Sequence, residues 1–251
     1  MTQFGMTRGY VVMLGAAYLL VMTFAWASPD ATQFPNLATF DRIQVAGAAN
    51  VSIVQGERQS VAVPGYQAQI DVESVDGTLY IDVVESAESR PRVQITMPGI
   101  QELVVVGSAD VTLTGFSGDT IVIEGENPGQ GVGHIEANRI RFDHVLVTGS
   151  GHFDFDLHGR ATHQDISLNG SGRYGAEGLM SQTSVVAVSG QGSVELWTEQ
   201  FLDLDAADSA RVTYRGEPWI NRQGGAHVQA RYPKEAPLLN NPPARGYTTS
   251  L

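Results

Sequence analysis

The sequence predicts an all-β protein: a single-stranded β-helix, or β-solenoid, preceded by a region of short strands and hairpins. Three observations carry this. Apolar and polar residues alternate with period two through most of the chain after Ala27, as in strands with one buried face. No stretch there shows a convincing helical period. From residue 101 a glycine turn followed by alternating apolar residues recurs about every 20 residues, which marks a repeat architecture.

The elements follow in order. Gly9 to Ala27 is uncharged and mostly apolar, follows Arg8, and closes on Ala25-Trp26-Ala27, a small-x-small site. This is the three-part pattern of a secretory signal peptide over residues 1–27. Its length is close to the roughly 20 apolar residues of a membrane span, so an uncleaved anchor is the alternative. The small residues favour cleavage after Ala27, which leaves no membrane span in the remainder. Residues 28–37 read as a linker. Ile43 and Val45, Val51 and Ile53, and Val61 and Val63 then alternate. Ile70/Val72 and Leu79/Ile81 flank Asp76-Gly77, a hairpin signal because both turn residues tolerate positive φ. Val93, Ile95 and Met97 lead to Pro98-Gly99. Residues 38–100 therefore read as short strands joined by tight turns.

The repeats occupy 101–230. Their copies begin at Gly107, Gly131, Gly149, Gly170, Gly190, Asp208 and Gly224, with spacings of 24, 18, 21, 20, 18 and 16. One coil cannot bury its own apolar face, so coils must stack, and glycine at each corner permits a sharp turn. The inward pairs are Val111/Leu113, Ile135/Ala137, Phe153/Phe155, Tyr174/Ala176, Val194/Leu196, Val212/Tyr214 and Val228/Ala230. About six coils at a strand spacing of about 4.8 Å make a stack near 30 Å. Its strand edges need caps. The N-terminal strands could close one end. The tail at 231–251, with Pro233, Pro237, Pro242 and Pro243, reads as a flexible extension that could cover the other.

Composition excludes several functions. The net charge is −12, and only one lysine, Lys234, is present. Nucleic-acid binding is not expected, because phosphate neutralisation needs clustered Lys and Arg. Cysteine is absent, which removes a disulfide framework, a cysteine zinc site, a thiol nucleophile and a cysteine lipid anchor. No GxSxG, HExxH or Walker motif occurs. The GxGxxG string at Gly170 lies in the repeat and opens no helix. Asp203, Asp205 and Asp208 lack the rest of a calcium loop. No cofactor and no metal are expected.

Together, the signal-like segment, the Asp76-Gly77 hairpin and the recurrent Gly-Ser-Gly-x-apolar-x-apolar motif resemble the auto-transporter adhesin family of bacterial head GIN domains. The clearest matches are Gly149-Ser150-Gly151, Gly170-Ser171-Gly172 and Gly190-Gln191-Gly192, with Tyr214-Arg215-Gly216-Glu217-Pro218 near the last coils. The resemblance spans roughly 38–230. It implies a right-handed β-helix and a bacterial envelope location, and it carries over no catalytic residue. Asp208-Ser209-Ala210 departs from the glycine turn.

Candidate binding residues lie on the outer face. Alternation puts His152, Asp154, Asp156 and His158 outside on one strand. Stacking predicts an outer column of Asp110, His134, His152, Arg173, Ser193, Arg211 and His227. A second column runs through Thr112, Glu136, Asp154, Gly175, Glu195, Thr213 and Gln229. From these, His134, Glu136, His152, Asp154, Asp156, Arg173, Glu195 and Arg211 form the candidate binding face. A basic column beside an acidic one suits a polar ligand such as a glycan, or a protein of the envelope or surface. It is equally what cross-strand charge pairing produces without a ligand. The expected function is a non-enzymatic exported protein of the bacterial periplasm or cell surface that presents a solenoid face. One alternative is a polysaccharide-active enzyme using Asp154 with Asp156 or Glu136. The other is a structural envelope protein that self-associates through its strand edges. Oligomeric state is not read from the sequence.

Overall fold

The computed structural model describes residues 31–65, 70–83, 90–129, 131–207 and 209–231. The signal-like segment, the tail beyond 231 and Asp208 lie outside them. Among the described residues there is no helix, and no segment forms a helix long and apolar enough to cross a membrane.

Among the described residues, seventeen strands join in one hydrogen-bonded sheet. They are β1 (Ala31–Gln33), β2 (Arg42–Ala46), β3 (Asn50–Gln55), β4 (Ser60–Pro64), β5 (Ile70–Val75), β6 (Thr78–Val83), β7 (Arg92–Met97), β8 (Glu102–Val106) and β9 (Asp110–Thr114). Then come β10 (Ser117–Asn127), β11 (Gly133–Gly151), β12 (Phe153–Gly170), β13 (Arg173–Gly190), β14 (Ser193–Ala206), β15 (Arg211–Arg215), β16 (Trp219–Gln223) and β17 (His227–Ala230). The segment read as linker thus contributes β1.

Two columns of parallel strands enclose a shared core. One runs β6, β2, β8, β10, the C-terminal parts of β11 to β14, and β16. The other runs β7, β3, β9, the N-terminal parts of β11 to β14, then β15 and β17. A third side begins at Ser117, which pairs with Arg141 and through it with Arg160. The long strands bend between sides at register shifts such as Ala137/Ile140 and Asp156/His158. The result is a β-solenoid of about six turns.

The N-terminal rungs are out of chain order. β2 and β3 form a rung, and the chain returns as β6 and β7 on its far side. Residues 98–101 then cross that first rung, so that β8 and β9 stack on its near side. Antiparallel strands close the far end: β5 pairs with β6, β4 with β7, and β1 with β4.

The alternating residues form the core as read. Both members of the first five inward pairs are buried, and so is Val212 of the sixth. Tyr214 and Val228 are only partly buried, because the rungs beyond them run out. Full burial of one such aliphatic or aromatic side chain is worth about 1.5–3 kcal/mol. Tyr174 keeps its hydroxyl satisfied inside, donating to Gln164 Oε1 at 2.7 Å, while Gln164 Nε2 donates to the Leu179 carbonyl at 3.3 Å. Burial pushes the Tyr174 hydroxyl pKa well up from its ordinary value.

One register differs from the sequence reading. Phe155, not Phe153, stacks between Ile135 and Tyr174. The corner of that coil is Gly151, which lies level with Gly170 and Gly190. Gly149-Ser150-Gly151 therefore sits two residues out of step with Gly170-Ser171-Gly172, despite the identical text. The cause is Phe153. It occupies the level of Gly133, and a Cβ at Gly133 or Gly125 would lie 2.2 or 2.4 Å from its ring. Two glycines in the preceding turn leave the space that an aromatic ring at this corner fills.

Candidate binding face

The register shift changes the outer columns. The first column is Asp110, His134, Asp154, Arg173, Ser193, Arg211 and His227. The second is Thr112, Glu136, Asp156, Gly175, Glu195, Thr213 and Gln229. Asp154 thus takes the place expected for His152, and Asp156 the place expected for Asp154. His152 instead sits exposed at the corner, where its carbonyl accepts from the Gly133 N–H at 3.2 Å.

The centre of the face is Arg173. Its Nη1 donates to Asp156 Oδ1 at 3.0 Å, and its Nη2 lies 3.5 Å from Glu195 Oε2. Its backbone N–H donates to Asp154 Oδ1 at 3.0 Å. His134 Nε2 approaches the other Asp156 oxygen at 3.3 Å. Gly175 makes this cluster possible, because a Cβ there would lie 2.4 Å from Asp156 Oδ1 and 2.8 Å from Arg173 Nη2. Partial burial pulls the Arg173 pKa down, but Asp156 and Glu195 outweigh it and hold the guanidinium above its ordinary value. Glu136 accepts from Asn138 Nδ2 at 2.9 Å. Arg211 is exposed in the first column and makes no ion pair among the described residues.

The fold therefore brings together His134, Asp154, Asp156, Arg173 and Glu195, and leaves His152 and Arg211 apart. The cluster sets its one arginine among three carboxylates, each of them engaged. Asp156 is shared between a histidine and an arginine, which leaves it poorly placed to act as a free carboxylate. The sequence pairing of Glu136 with Asp154 across adjacent coils also changes: Glu136 lies level with Asp156.

Two features were missed. Along the third side, Thr120, His144, His163, Thr183, Phe201 and Trp219 fall at one level on successive rungs. His144 and His163 stack at 4.7 Å, and Phe201 and Trp219 at 5.1 Å. His163 Nδ1 lies 2.5 Å from Thr183 Oγ1. The repeat step of about 20 residues could have revealed this ladder. The second is a groove of about 660 Å³ beside the crossover at 98–101. Its walls come from four separate stretches of the chain, and no sequence period connects them.

A family model described as "Putative auto-transporter adhesin, head GIN domain" matches residues 39–218. The chain belongs to this family. Solved structures similar to this head GIN chain include a "putative adhesin" from Bacteroides fragilis, 20% identical, covering 80% of this chain and 96% of that one, at a TM-score of 0.69. A "putative lipid binding protein" from Parabacteroides distasonis is 18% identical over 82% of this chain and 97% of that one, at 0.62. A "putative adhesin" from the same species is 17% identical over 80% and 96%, at 0.53. At these identities the likeness establishes the fold. No curated protein matches the head GIN chain.

Proposed function

We propose that this protein is a non-enzymatic binding module, exported to the bacterial periplasm or cell surface, that uses its rigid solenoid surface to hold a glycan or an envelope protein. Membership of an adhesin-described family supports the binding role, and the signal-like segment at Gly9 to Ala27 supports export. The observation that carries the non-enzymatic reading is the engagement of the outer carboxylates. Asp156 faces His134 and Arg173, and Glu195 faces Arg173. A glycosidase needs two carboxyl groups set about the scissile bond, one of them free to move a proton.

The test is a panel of envelope and host polysaccharides incubated with the purified protein. Retention and released reducing ends or unsaturated products are recorded in the same tubes. Retention without products is expected. Product release lost in both Asp154→Ala and Asp156→Ala would overturn the reading and make the protein a carbohydrate-active solenoid.

A further inference from the structure

We propose that the crossover groove is a saccharide-binding site selective for uncharged or amino-bearing sugars over acidic ones. The proposal rests on the binding-module reading and moves the ligand away from the Arg173 face. The groove exists because of the rung inversion. Residues 98–101 must pass the first rung to reach the third, while the third side of the solenoid starts only at Ser117. The gap between them stays open as a cavity of about 660 Å³, within the range of small-molecule sites.

The geometry of its walls follows from stacking. Gln101 N–H donates to the Asp41 carbonyl at 2.8 Å, and Val122 N–H donates to the Gln101 carbonyl at 2.9 Å. Asp41, Gln101 and the start of the next turn thus climb one wall at rung spacing. Asp119 stands exposed nearby on the third side. The floor is apolar, made by Phe40, Ile100 and Val122. A floor of C–H groups with carboxylates and amides along the rim matches a pyranose. The sugar has an apolar C–H face and a ring of hydroxyls that both donate and accept.

Two observations select the ligand class. First, among the described residues the charged side chains lining the groove are Asp41 and Asp119, with no lysine, arginine or histidine among them. The Asp41 carboxylate is engaged by Arg42 Nε at 3.7 Å and accepts from Gln101 Nε2 at 2.7 Å, which leaves Asp119 as the unpaired carboxylate of the rim among the described residues. Like charge at the rim repels uronates, sialates and phosphates, and such repulsion is how a surface rejects wrong partners. Second, Gln59 has its Nε2 buried without a hydrogen-bond partner. Gln59 and Phe40 line both this groove and a neighbouring cavity of about 360 Å³, so they form the wall between the two. A buried unpaired amide is costly. A hydroxyl reaching this wall can accept from the amide nitrogen, or donate to the amide oxygen if the side chain is turned over.

The experiment is a glycan array of neutral, amino and acidic oligosaccharides probed with the whole protein, followed by calorimetry on the hits and their uronate counterparts. The expected result is hits confined to uncharged and amino sugars, with uronate counterparts at least tenfold weaker. Asp119→Arg and Ser117→Trp are exposed changes at the groove and should each weaken binding at least tenfold at unchanged melting temperature. Gln59→Ala should weaken it several-fold, and Arg173→Ala should leave it unchanged. Acidic hits, or hits unaffected by both Asp119→Arg and Ser117→Trp, would overturn the groove site. Binding lost instead in Arg173→Ala would keep the binding module and refute the groove. An empty array with tight binding of 1-monooleoylglycerol would refute the saccharide assignment in favour of an amphiphile. An empty array without such binding would refute it outright.

Discussion

The two ends of the solenoid are built differently. At the N-terminal end, the outermost parallel rung of β6 and β7 is covered by antiparallel β5 and β4, and Leu79, Ile81, Val93 and Ile95 are all at most 1% exposed. At the C-terminal end, no strand among the described residues pairs beyond β16 and β17. There the inward residues Ile220 and Val228 are only partly buried. The alternation is the same at both ends. A solenoid residue is buried by the rung above and the rung below, so the same pattern yields a core position or a surface position according to what lies over it.

The largest test of that comparison is a pair of truncations. Leu79→Ala, under its cap, should cost about 2–5 kcal/mol by chemical denaturation, whereas Val228→Ala should cost less than about 1 kcal/mol. Equal losses would mean that the C-terminal end is covered as well as the N-terminal one. A smaller contrast is expected at the corners. Gly151 has φ +72°, and a Cβ there would lie 2.0 Å from the Asn127 carbonyl oxygen beneath the next rung. Gly151→Ala should therefore cost more than the roughly 1 kcal/mol of the backbone conformation alone. Gly224 has φ +80° and a similar approach, 2.1 Å, to the Ala206 carbonyl, but its terminal rung can shift. Its alanine variant should stay near about 1 kcal/mol.

Tyr174→Phe probes the middle of the stack. It strands Gln164 Oε1 and should cost about 1–3 kcal/mol at neutral pH. The buried hydroxyl has a raised pKa, so the wild type holds the stability linked to it below about pH 10 and loses it as the pH rises further. That alkaline loss should shrink in the phenylalanine variant when unfolding is followed against pH. The smallest effect is on the outer face. A double-mutant cycle on Arg173 and Asp156, both substantially exposed, should give a coupling of about 0.2–1 kcal/mol that falls with added salt.

Much of the architecture was legible in advance. Val111, Ile135, Val194 and Leu196 are where period-two alternation puts them, because a strand residue has only two faces to choose from. The polar columns were legible in kind but not in register. Asp154 and Asp156 each stand one column, or two residues, away from where the Gly-Ser-Gly motif at Gly149 puts them. A motif marks a turn only if its surroundings have room for it, and Phe153 took the corner level that glycine holds elsewhere. The charge pairing of His134, Asp156, Arg173 and Glu195 followed from that register and could not be read before it.

By itself, then, the sequence determined the class of structure, the inward residues and the absence of cysteine chemistry, since alternation, repeat length and composition are local properties. The tertiary structure decided the rest. It set which coil stacks level with which, the inverted order of the first rungs, and the groove that the crossover at 98–101 leaves open. These depend on residues far apart in the chain meeting at rung spacing. The physical reason is that a stacking register is chosen by the fit of side chains between neighbouring turns, as Phe153 fits over Gly125 and Gly133, and no single turn contains both partners of that fit.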